Sequence, residues 1–502
     1  MTRRACSGRI VLLGIDPNSA VPIYQQVYTG IRQRILEGWL PAGGGLPSTR
    51  ALSRDLGVSR STVVQAYEQL RLEGYAQGRV GAATRVAVVL PERSLRAPAG
   101  GVTSRSPAPH RGRFSTRARE VMGLTRRSLD VLDEAPRAFR AGVPAVDIFP
   151  VDTWGRLMAR RWRLVQAKSL AYGRPFGFLP LRQALTEYLG SARGVRCAPE
   201  QVVIVNGSQQ GLDLTAQVLL DPGDRVWLEE PGYNGARGAF AAAGAISVPV
   251  SVDEEGLVVK EGRRVAPGAR AAFVTPSRQL PLGMALSLPR RLELLEWAKA
   301  ADAWIIEDDY DSEFRYVGRP LAALHGLDPH GCVIYAGTFS KVTFPSARLG
   351  YLVVPPGLVD AFAAVRSFAD FAPPWLTQAV MADFMTEGHF ERHIRRMRSL
   401  YKERQETLVS HARRELAGAL EVQPSDAGMT VVGWLPQGTN DVGAAAAARE
   451  FKVDVLPLSS FATRPSRPGL LLGYAGVRER EIHDGTIRLA QALDAFRHRR
   501  SA

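Results

Sequence analysis

The sequence predicts a multidomain protein in which a small helical domain precedes a larger α/β domain. At 502 residues the chain is long enough for two or three domains with buried cores. The first 140 residues contain 22 Arg and no Lys against ten Asp and Glu, and so carry +12 of the formal charge of +15. From Val143 onward, strand and helix patterns alternate as an α/β domain requires.

The uneven charge predicts that the front of the chain binds a polyanion, because the remaining 362 residues carry only +3. The chain has no run of eighteen apolar residues, so we expect no spanning helix and no membrane partner. Three widely spaced cysteines, Cys6, Cys197 and Cys332, predict neither a disulfide framework nor a metal site. We therefore expect a reducing, cytoplasmic setting.

Three helices are predicted in the basic front. Apolar side chains recur every fourth residue over 22–38, which indicates one buried helix face. A second helix over 49–56 begins after Ser48, and a third over 60–73 begins after Ser59, since serine is a favoured N-cap. Two helices joined by a tight glycine turn are typical of a helix-turn-helix, in which the second of them enters the DNA major groove.

The third helix is predicted to read DNA. Its first turn presents Arg60, Ser61 and Thr62, which suit base edges and phosphates. Residues 76–89 predict a two-stranded wing with Gly81 in its turn. Paired helices also occur in domains that do not bind DNA, so this pattern alone is not specific.

The stretch LPSTRALSRDLGVSRSTVVQAYEQLRLEGY resembles the winged helix-turn-helix of the GntR regulators over residues 20–88. The resemblance implies DNA contacts from Arg50, Ser59, Arg60 and Thr62. The family's wing usually carries a Gly-Ser-Gly-Thr turn, whereas this chain has Gly-Ala-Ala-Thr from Gly81 onward. The change removes one hydroxyl group and one glycine from the wing.

Composition divides the chain into four predicted segments. Residues 91–140 are rich in Pro, Gly, Ser and Arg and are interpreted as a flexible basic linker. Residues 1–19 form an N-terminal tail and residues 20–90 the DNA-binding domain. Residues 141–500 form the effector domain.

Lys341 is the candidate reactive residue of that domain. Lysine can lose its proton and form an imine once a buried site lowers its pKa, which arginine cannot do. Around Lys341 lie the short hydroxyl residues Thr338 and Ser340 and, seven positions later, Arg348, a set that suits a phosphate dianion. Lysine, phosphate donors and an acidic strand end together predict pyridoxal 5'-phosphate (PLP), whose ring nitrogen needs an acidic partner.

The acidic strand end requires a choice between two neighbouring carboxylates. If residues 304–310 are extended, Asp308 and Tyr310 point to one face and Asp309 to the other. We assign Asp308 to the pyridinium nitrogen and Tyr310 to the phenolic oxygen of PLP. Asp309 is the alternative partner of the nitrogen.

A second phosphate-binding element is predicted after the strand at 202–205. Small polar residues, including Ser208 and Gln209, join this strand to a helix whose N-terminal N–H groups can cradle a phosphate. Tyr233 follows the next strand, where its ring can lie over a flat cofactor, although most such tyrosines are simply packed.

The motifs VNGSQQ, EEPGY, EDDYDSEFRY and GTFSK...RLGY resemble those of fold-type I aminotransferases over residues 140–497. Behind a GntR head, this arrangement resembles the MocR/GabR regulators. The resemblance implies a PLP-dependent transferase fold of type I, with a large domain and a smaller C-terminal α+β domain, and a head-to-tail homodimer. It also implies that Lys341 forms a Schiff base with PLP and that Tyr233 stacks on the ring. The residues implied to hold the phosphate are Ser208, Gln209, Thr338, Ser340 and Arg348.

Two departures from the family bear on function. Arg278 stands where the subfamily usually has the histidine of TPSHQ, and the last strand, aligned with residues 470–474, lacks the arginine that binds a substrate carboxylate. Arg464 or Arg467 could replace that arginine from the preceding loop. The missing contact favours a transcriptional regulator over a working aminotransferase, although a half-reaction remains open. The expected partners are an operator in double-stranded DNA and an effector that is either PLP or an amino compound.

Overall fold

The computed structural model describes residues 13–78, 84–90, 114–125, 137–318 and 321–501. It divides into two compact units, residues 1–112 and 113–502, each with its own hydrophobic core. A helical head and an α/β body confirm the predicted fold class. The finer boundaries at residues 20, 91 and 141 remain predictions.

The N-terminal unit is a winged helix-turn-helix. Its elements are α1 (Ile23–Leu36), α2 (Thr49–Leu56), α3 (Arg60–Leu72), β1 (Ala76–Gln77) and β2 (Arg85–Val86).

The predicted serine caps are confirmed in this unit. Ser48 Oγ accepts from Ala51 N at 3.2 Å, and Ser59 Oγ accepts from Thr62 N at 3.1 Å. The apolar stripe of α1 is buried together with apolar residues of α2 and α3. Strands β1 and β2 pair antiparallel as the predicted wing, whereas Gly81 lies outside the described residues.

The C-terminal unit alternates helices and strands. Its helices are α4 (Thr116–Thr125), α5 (Val151–Arg163), α6 (Ala167–Leu170), α7 (Leu179–Arg193), α8 (Ser208–Leu219), α9 (Asn234–Ala243), α10 (Val259–Val265), α11 (Leu288–Ala301), α12 (Leu324–Leu327), α13 (Val359–Ala369), α14 (Trp375–Thr386), α15 (His389–Glu415), α16 (Asp441–Glu450) and α17 (Glu479–Ser501). Its strands are β3 (Val202–Val205), β4 (Arg225–Glu230), β5 (Ile246–Asp253), β6 (Gly256–Leu257), β7 (Ala271–Val274), β8 (Trp304–Asp309), β9 (Val333–Thr338), β10 (Gly350–Val353), β11 (Glu421–Val422), β12 (Thr430–Trp434), β13 (Leu456–Pro457) and β14 (Gly469–Gly473).

An eight-stranded sheet forms the centre of this unit, in the order β3-β10-β9-β8-β7-β4-β5-β6. The inner strands β9, β8, β7, β4 and β5 run parallel, and β10 runs antiparallel to both of its neighbours. Along β3, Val203 and Val205 pack in one apolar cluster while Val202 and Ile204 pack in another, so both faces of the sheet are covered. Strand β3 therefore has a continuous apolar sequence rather than an alternating one.

A four-stranded antiparallel sheet, in the order β11-β12-β14-β13, forms the smaller C-terminal part. Helices α15, α16 and α17 pack beside it and bury apolar residues of α15 and α17 in the largest core cluster. This is the predicted smaller α+β domain. Among the described residues, no helix is both long and apolar enough to cross a membrane.

The predicted linker lies largely outside the described residues. Its described part includes α4, which packs beside α9, where Arg117 Nη1 donates to Ala242 O at 3.4 Å. The interpretation of the other linker residues as a flexible tether stays a prediction.

Candidate functional site

The predicted cofactor residues follow three strands of the large sheet, β8, β9 and β3. β8 ends with Asp308 and Asp309, β9 ends three residues before Lys341, and β3 leads to Ser208. Since these strands point the same way, their carboxyl ends meet at one edge of the sheet, where ligands bind in open α/β folds.

Lys341 is held at this edge by a backbone contact. Its Nζ donates to Gly142 O at 2.8 Å. Desolvation lowers the pKa of Lys341, while the carboxylates of Asp311 and Asp308 oppose that shift. The lowered pKa favours the neutral amine that imine formation requires.

Asp308 is a buried acid with an unused oxygen. Its Oδ1 has no hydrogen-bond partner among the described residues. Burial and the neighbouring charge of Asp309 raise the pKa of Asp308 to about 7, and the charge of Lys341 opposes this shift. A buried carboxyl oxygen without a partner is costly unless a ligand supplies one.

Asp309, the alternative, is already engaged. Its Oδ2 accepts from Arg193 Nε at 2.7 Å and from Tyr335 Oη at 2.6 Å, while its Oδ1, like that of Asp308, has no partner among the described residues. Arg193 and Asp309 form an ion pair in which both side chains are almost fully buried. These contacts favour Asp308 as the residue available to a ligand.

Tyr310 contacts Arg278, the arginine that stands where the subfamily usually has a histidine. Arg278 Nη1 donates to Tyr310 Oη at 3.1 Å, and burial raises the pKa of Tyr310. The phenol therefore stays protonated, and its own hydrogen remains available for a second partner.

The structure places Gly207 against Arg348 at the start of α8. Gly207 has a φ of 90°, and a Cβ there would lie 3.5 Å from the Arg348 guanidinium. Ser208 begins α8, so its N–H is one of the free N-terminal donors of that helix. The arrangement brings a cation and a helix N-terminus together, as an anion site requires.

Thr338 and Gln209, two further residues predicted to bind the phosphate, form hydrogen bonds within the protein through their side chains. Ser340 N donates to Thr338 Oγ1 at 3.2 Å. Gln209 Nε2 donates to Gly235 O at 2.9 Å, and Tyr233 Oη donates to Gln209 Oε1 at 3.4 Å. Burial raises the pKa of Tyr233 to about 12, so its hydroxyl stays neutral.

Arg464 and Arg467, the two arginines predicted to bind a substrate carboxylate, are both paired with acidic residues of the protein. Arg464 Nη1 forms an ion pair with Glu261 at 3.1 Å, and Arg467 Nη2 forms one with Glu421 at 3.3 Å. Arg467 also lies over the ring of Trp434 at 4.6 Å. Each of the two arginines is therefore paired with an acidic side chain, and no contact joins either of them to Lys341 in the described part of the chain.

In the head, the predicted DNA residues are largely accessible. Arg50, Ser59, Arg60 and Ser61 are exposed, and Thr62 is half-buried. Ser59 Oγ lies 2.8 Å from Ser61 Oγ and 2.7 Å from Thr62 Oγ1, so these hydroxyls also stabilise the start of α3.

Sequence reasoning missed three residues of the site. Asp311 faces the charges of both Lys341 and Arg278, and burial raises its pKa to about 6. Its place in the acidic run was the available indication. Gly142 and Arg193 carried no local indication, because each reaches the site from a distant part of the chain.

These features fit PLP. The unpartnered oxygen of Asp308 suits a ring nitrogen, the desolvated Lys341 suits an aldehyde, and the Gly207–Arg348 cradle suits a phosphate. No cluster of His, Cys, Asp and Glu that could hold a metal ion occurs in the part of the chain that the structure describes.

Comparison with known proteins gives matches over both units. The family model for aminotransferases class I and II matches residues 145–484, and that for bacterial regulatory proteins of the gntR family matches residues 23–86. Over 487 residues the chain is 42% identical to the probable rhizopine catabolism regulatory protein MocR of Rhizobium meliloti, covering 97% of this chain and 96% of that protein.

Two further relatives agree with this match. The HTH-type pyridoxine biosynthesis transcriptional regulator PdxR of Corynebacterium glutamicum is 33% identical over 395 residues, which are 78% of this chain and 79% of that protein. The solved structure of LysN, an α-aminoadipate aminotransferase from Thermus thermophilus complexed with N-(5'-phosphopyridoxyl)-L-leucine, is 30% identical with a TM-score of 0.67. That match covers 76% of this chain and 96% of LysN.

Fold and site together define a DNA-binding transcriptional regulator built on a PLP-dependent aminotransferase fold. The chain belongs to the MocR-type regulators, in which a GntR-family head precedes an aminotransferase class I and II domain. The cofactor of this fold is pyridoxal phosphate. These relationships support the regulator over the alternative of a working aminotransferase with an attached head.

Proposed function

We propose that the body of this regulator carries PLP on Lys341 and detects a primary amine, and that the detection changes how the head binds its DNA operator. The observation that carries the proposal is the buried Asp308 Oδ1, which has no partner among the described residues and acts electrostatically on Lys341. When bound, PLP supplies an electrophilic carbon that reacts with primary amines.

Each predicted residue has a role in this proposal. Lys341 attaches the cofactor, Asp308 accepts from its ring nitrogen, Tyr310 donates to its phenolic oxygen, and Tyr233 covers one face of the ring. The phosphate is held by Ser208, Gln209, Thr338, Ser340 and Arg348. Arg348 and the N-terminus of α8 support the phosphate assignment most strongly, because they are a cation and a set of free N–H donors.

The contacts of the arginines argue for sensing rather than turnover. β14 contains no arginine, and both Arg464 and Arg467 are paired with acids. An amino acid would therefore lack the bidentate carboxylate contact that orients it for proton removal. Binding energy would then favour one conformation of the protein over another instead of lowering a reaction barrier.

On the DNA side, we propose that Arg50, Ser59, Arg60, Ser61 and Thr62 contact the operator, together with the wing turn at Gly81. The protein acts in the cytoplasm as a head-to-tail homodimer, which would present two heads to two half-sites. The head, linker and effector domain span residues 20–90, 91–140 and 141–500.

The deciding experiment measures turnover and DNA binding on one PLP-loaded preparation. An operator is first selected from random DNA. Operator affinity is then measured with a panel of primary amines and with PLP, and keto-acid production per site is followed over hours with common amino and keto acids.

We expect at least one amine to change operator affinity, with negligible multiple turnover. The Lys341→Ala protein should bind the operator but lose the response. A response to PLP alone would make PLP the effector. If the protein instead sustains turnover and its operator affinity changes with no amine and not with PLP, it is a working aminotransferase and not a sensor.

A further inference from the structure

Arg278 occupies a buried position between the two sheets of the C-terminal unit. It follows β7 of the large sheet and is only 3% exposed. Its Nη1 donates to Tyr310 Oη at 3.1 Å and lies 3.5 Å from Asp311 Oδ2. On this side the guanidinium faces the proposed cofactor residues.

The other side of the guanidinium reaches the smaller sheet. Nε donates to Ala427 O at 3.0 Å, and Nη2 donates to Thr430 O at 2.6 Å and to Thr430 Oγ1 at 3.2 Å. Thr430 is the first residue of β12. A single side chain thus connects β12 to Tyr310.

The backbone beside Arg278 is shaped for this contact. Gly428 has a φ of 94°, and a Cβ there would lie 2.2 Å from Arg278 Nε, so only glycine allows the approach. Gly428 N also donates to Phe314 O at 2.8 Å, and Tyr474 Oη donates to Gly428 O at 2.7 Å. The segment before β12 is therefore bound closely to the segment that follows Tyr310.

The contacts of Arg278 occupy all the N–H donors of its guanidinium group. A guanidinium has five N–H groups in a fixed plane, and here they have five acceptor atoms in two parts of the fold. The histidine expected at this position has two ring nitrogens and could not make the same set. With its donors occupied, Arg278 is also unsuited to binding an effector carboxylate.

We propose that Arg278 is a positioning residue that couples β12 of the C-terminal sheet to the Tyr310 phenol. Because Arg278 donates to Tyr310 Oη, the hydrogen of that phenol points away from Arg278. This inference rests on the proposed function, in which the phenolic hydrogen is donated to the phenolic oxygen of PLP. A shift of the smaller sheet would move Arg278 and change the orientation of Tyr310. In the opposite direction, a change at Tyr310 would alter the hydrogen bonds that hold Ala427 and Thr430.

The test compares full-length, PLP-loaded Arg278→Lys and Arg278→His proteins with the parent. Two readouts are taken, the pH midpoint of the bound-cofactor absorption and amide hydrogen exchange at residues 427–430. Arg291→Lys is the matched control, because Arg291 is equally buried but donates only to backbone carbonyls of the large-sheet part, those of Leu286, Pro276 and Ala322.

We expect both Arg278 variants to raise the absorption midpoint by about one pH unit, because a less ordered Tyr310 donates more weakly. Exchange at 427–430 should become about tenfold faster through loss of charge-assisted hydrogen bonds. Arg291→Lys should leave both readouts unchanged. Thr430→Val removes only the Oγ1 acceptor and should shift both readouts in the same direction, by a smaller amount than the Arg278 variants do. It replaces those variants in the test if they do not fold.

Parent-like values of both readouts in Arg278→Lys and Arg278→His would overturn the coupling, as would an effect on exchange alone. If neither Arg278 variant folds, parent-like readouts in Thr430→Val would overturn it. In each of these cases a parent that binds PLP and responds to an amine leaves the proposed function intact. A parent that takes up no PLP would overturn both proposals.

Discussion

Asp308 and Asp309 are adjacent in β8, yet only Asp309 has its carboxylate bound by the protein. Asp309 Oδ2 lies between Arg193 Nε and Tyr335 Oη, at 2.7 Å and 2.6 Å, while Asp309 Oδ1 and Asp308 Oδ1 are both buried without a partner in the described structure. Neighbouring strand residues face opposite sides of a sheet, which separates the two environments. Asp309 therefore stabilises the fold, and Asp308 is available to a cofactor.

Replacing each of these acids by asparagine should separate the two roles. Asp309→Asn leaves the buried Arg193 without its counter-charge and should cost about 3–5 kcal/mol of the free energy of unfolding. Asp308→Asn should leave the PLP-free protein at least as stable as the parent, but weaken PLP binding by about 1.5–3 kcal/mol. Denaturant unfolding and PLP titration measure the two effects. The reverse pattern would make Asp309 the cofactor partner.

The raised pKa of Asp308 predicts a pH dependence of stability. Its pKa is about 7 in the folded protein against the ordinary value of 3.8, so the folded state binds this proton more tightly. Stability contributed by the protonated group is fully present below pH 4 and is lost as the pH rises toward 7. In PLP-free protein, the stability of Asp308→Asn minus that of the parent should therefore grow across this range, by at most about 1.4 kcal/mol per pH unit. A constant difference would contradict the raised pKa.

Lys341→Ala should abolish covalent attachment of PLP. Borohydride reduction followed by peptide mapping should place the pyridoxyl group on Lys341 in the parent and on no peptide in the variant. Lys402→Ala is the control, since Lys402 is exposed and lies 3.9 Å from Glu406 on α15. An adduct that persists in Lys341→Ala, or that maps to Lys402 in the parent, would contradict the assignment.

Arg348→Ala should weaken PLP binding by about 1.5–3 kcal/mol, because it removes charge-assisted hydrogen bonds to the phosphate. Binding of pyridoxal, which has no phosphate, should be unchanged. Arg467→Ala is the control, since Arg467 is an exposed arginine paired with Glu421. Equal losses for PLP and pyridoxal would show that Arg348 supports the fold and does not bind the phosphate.

Two arginines of the head should differ in how they contribute to DNA binding. Arg60→Ala should cost about 1–3 kcal/mol and relax the sequence preference at one position of each half-site. Arg50→Ala should weaken all sequences alike and lower the log–log salt slope by about one. Arg71→Ala, an exposed residue near the other end of α3, is the control. Measurements on selected and random DNA distinguish these effects, and parent-like binding by both variants would contradict the assignment of the head.

Much of the fold could be predicted because local chemistry specifies it. The Ser48 and Ser59 caps and the glycine at 57 set the ends of short helices, and the apolar residues of β3 and β8 predicted buried strands. The choice of Asp308 over Asp309 likewise followed from the two-residue period of a strand, and the contacts of Asp309 support it.

The tertiary structure alone decided the contacts between residues that are far apart in the chain. Arg193 reaches Asp309 across 116 positions, Gly142 reaches Lys341 across 199, and Arg278 reaches Thr430 across 152. No local pattern specifies such pairs, because they depend on how the strands are ordered and on how the smaller sheet packs against the larger one. The sequence by itself determined which side chains can carry the chemistry, and the tertiary structure decided which of them remain free to do so.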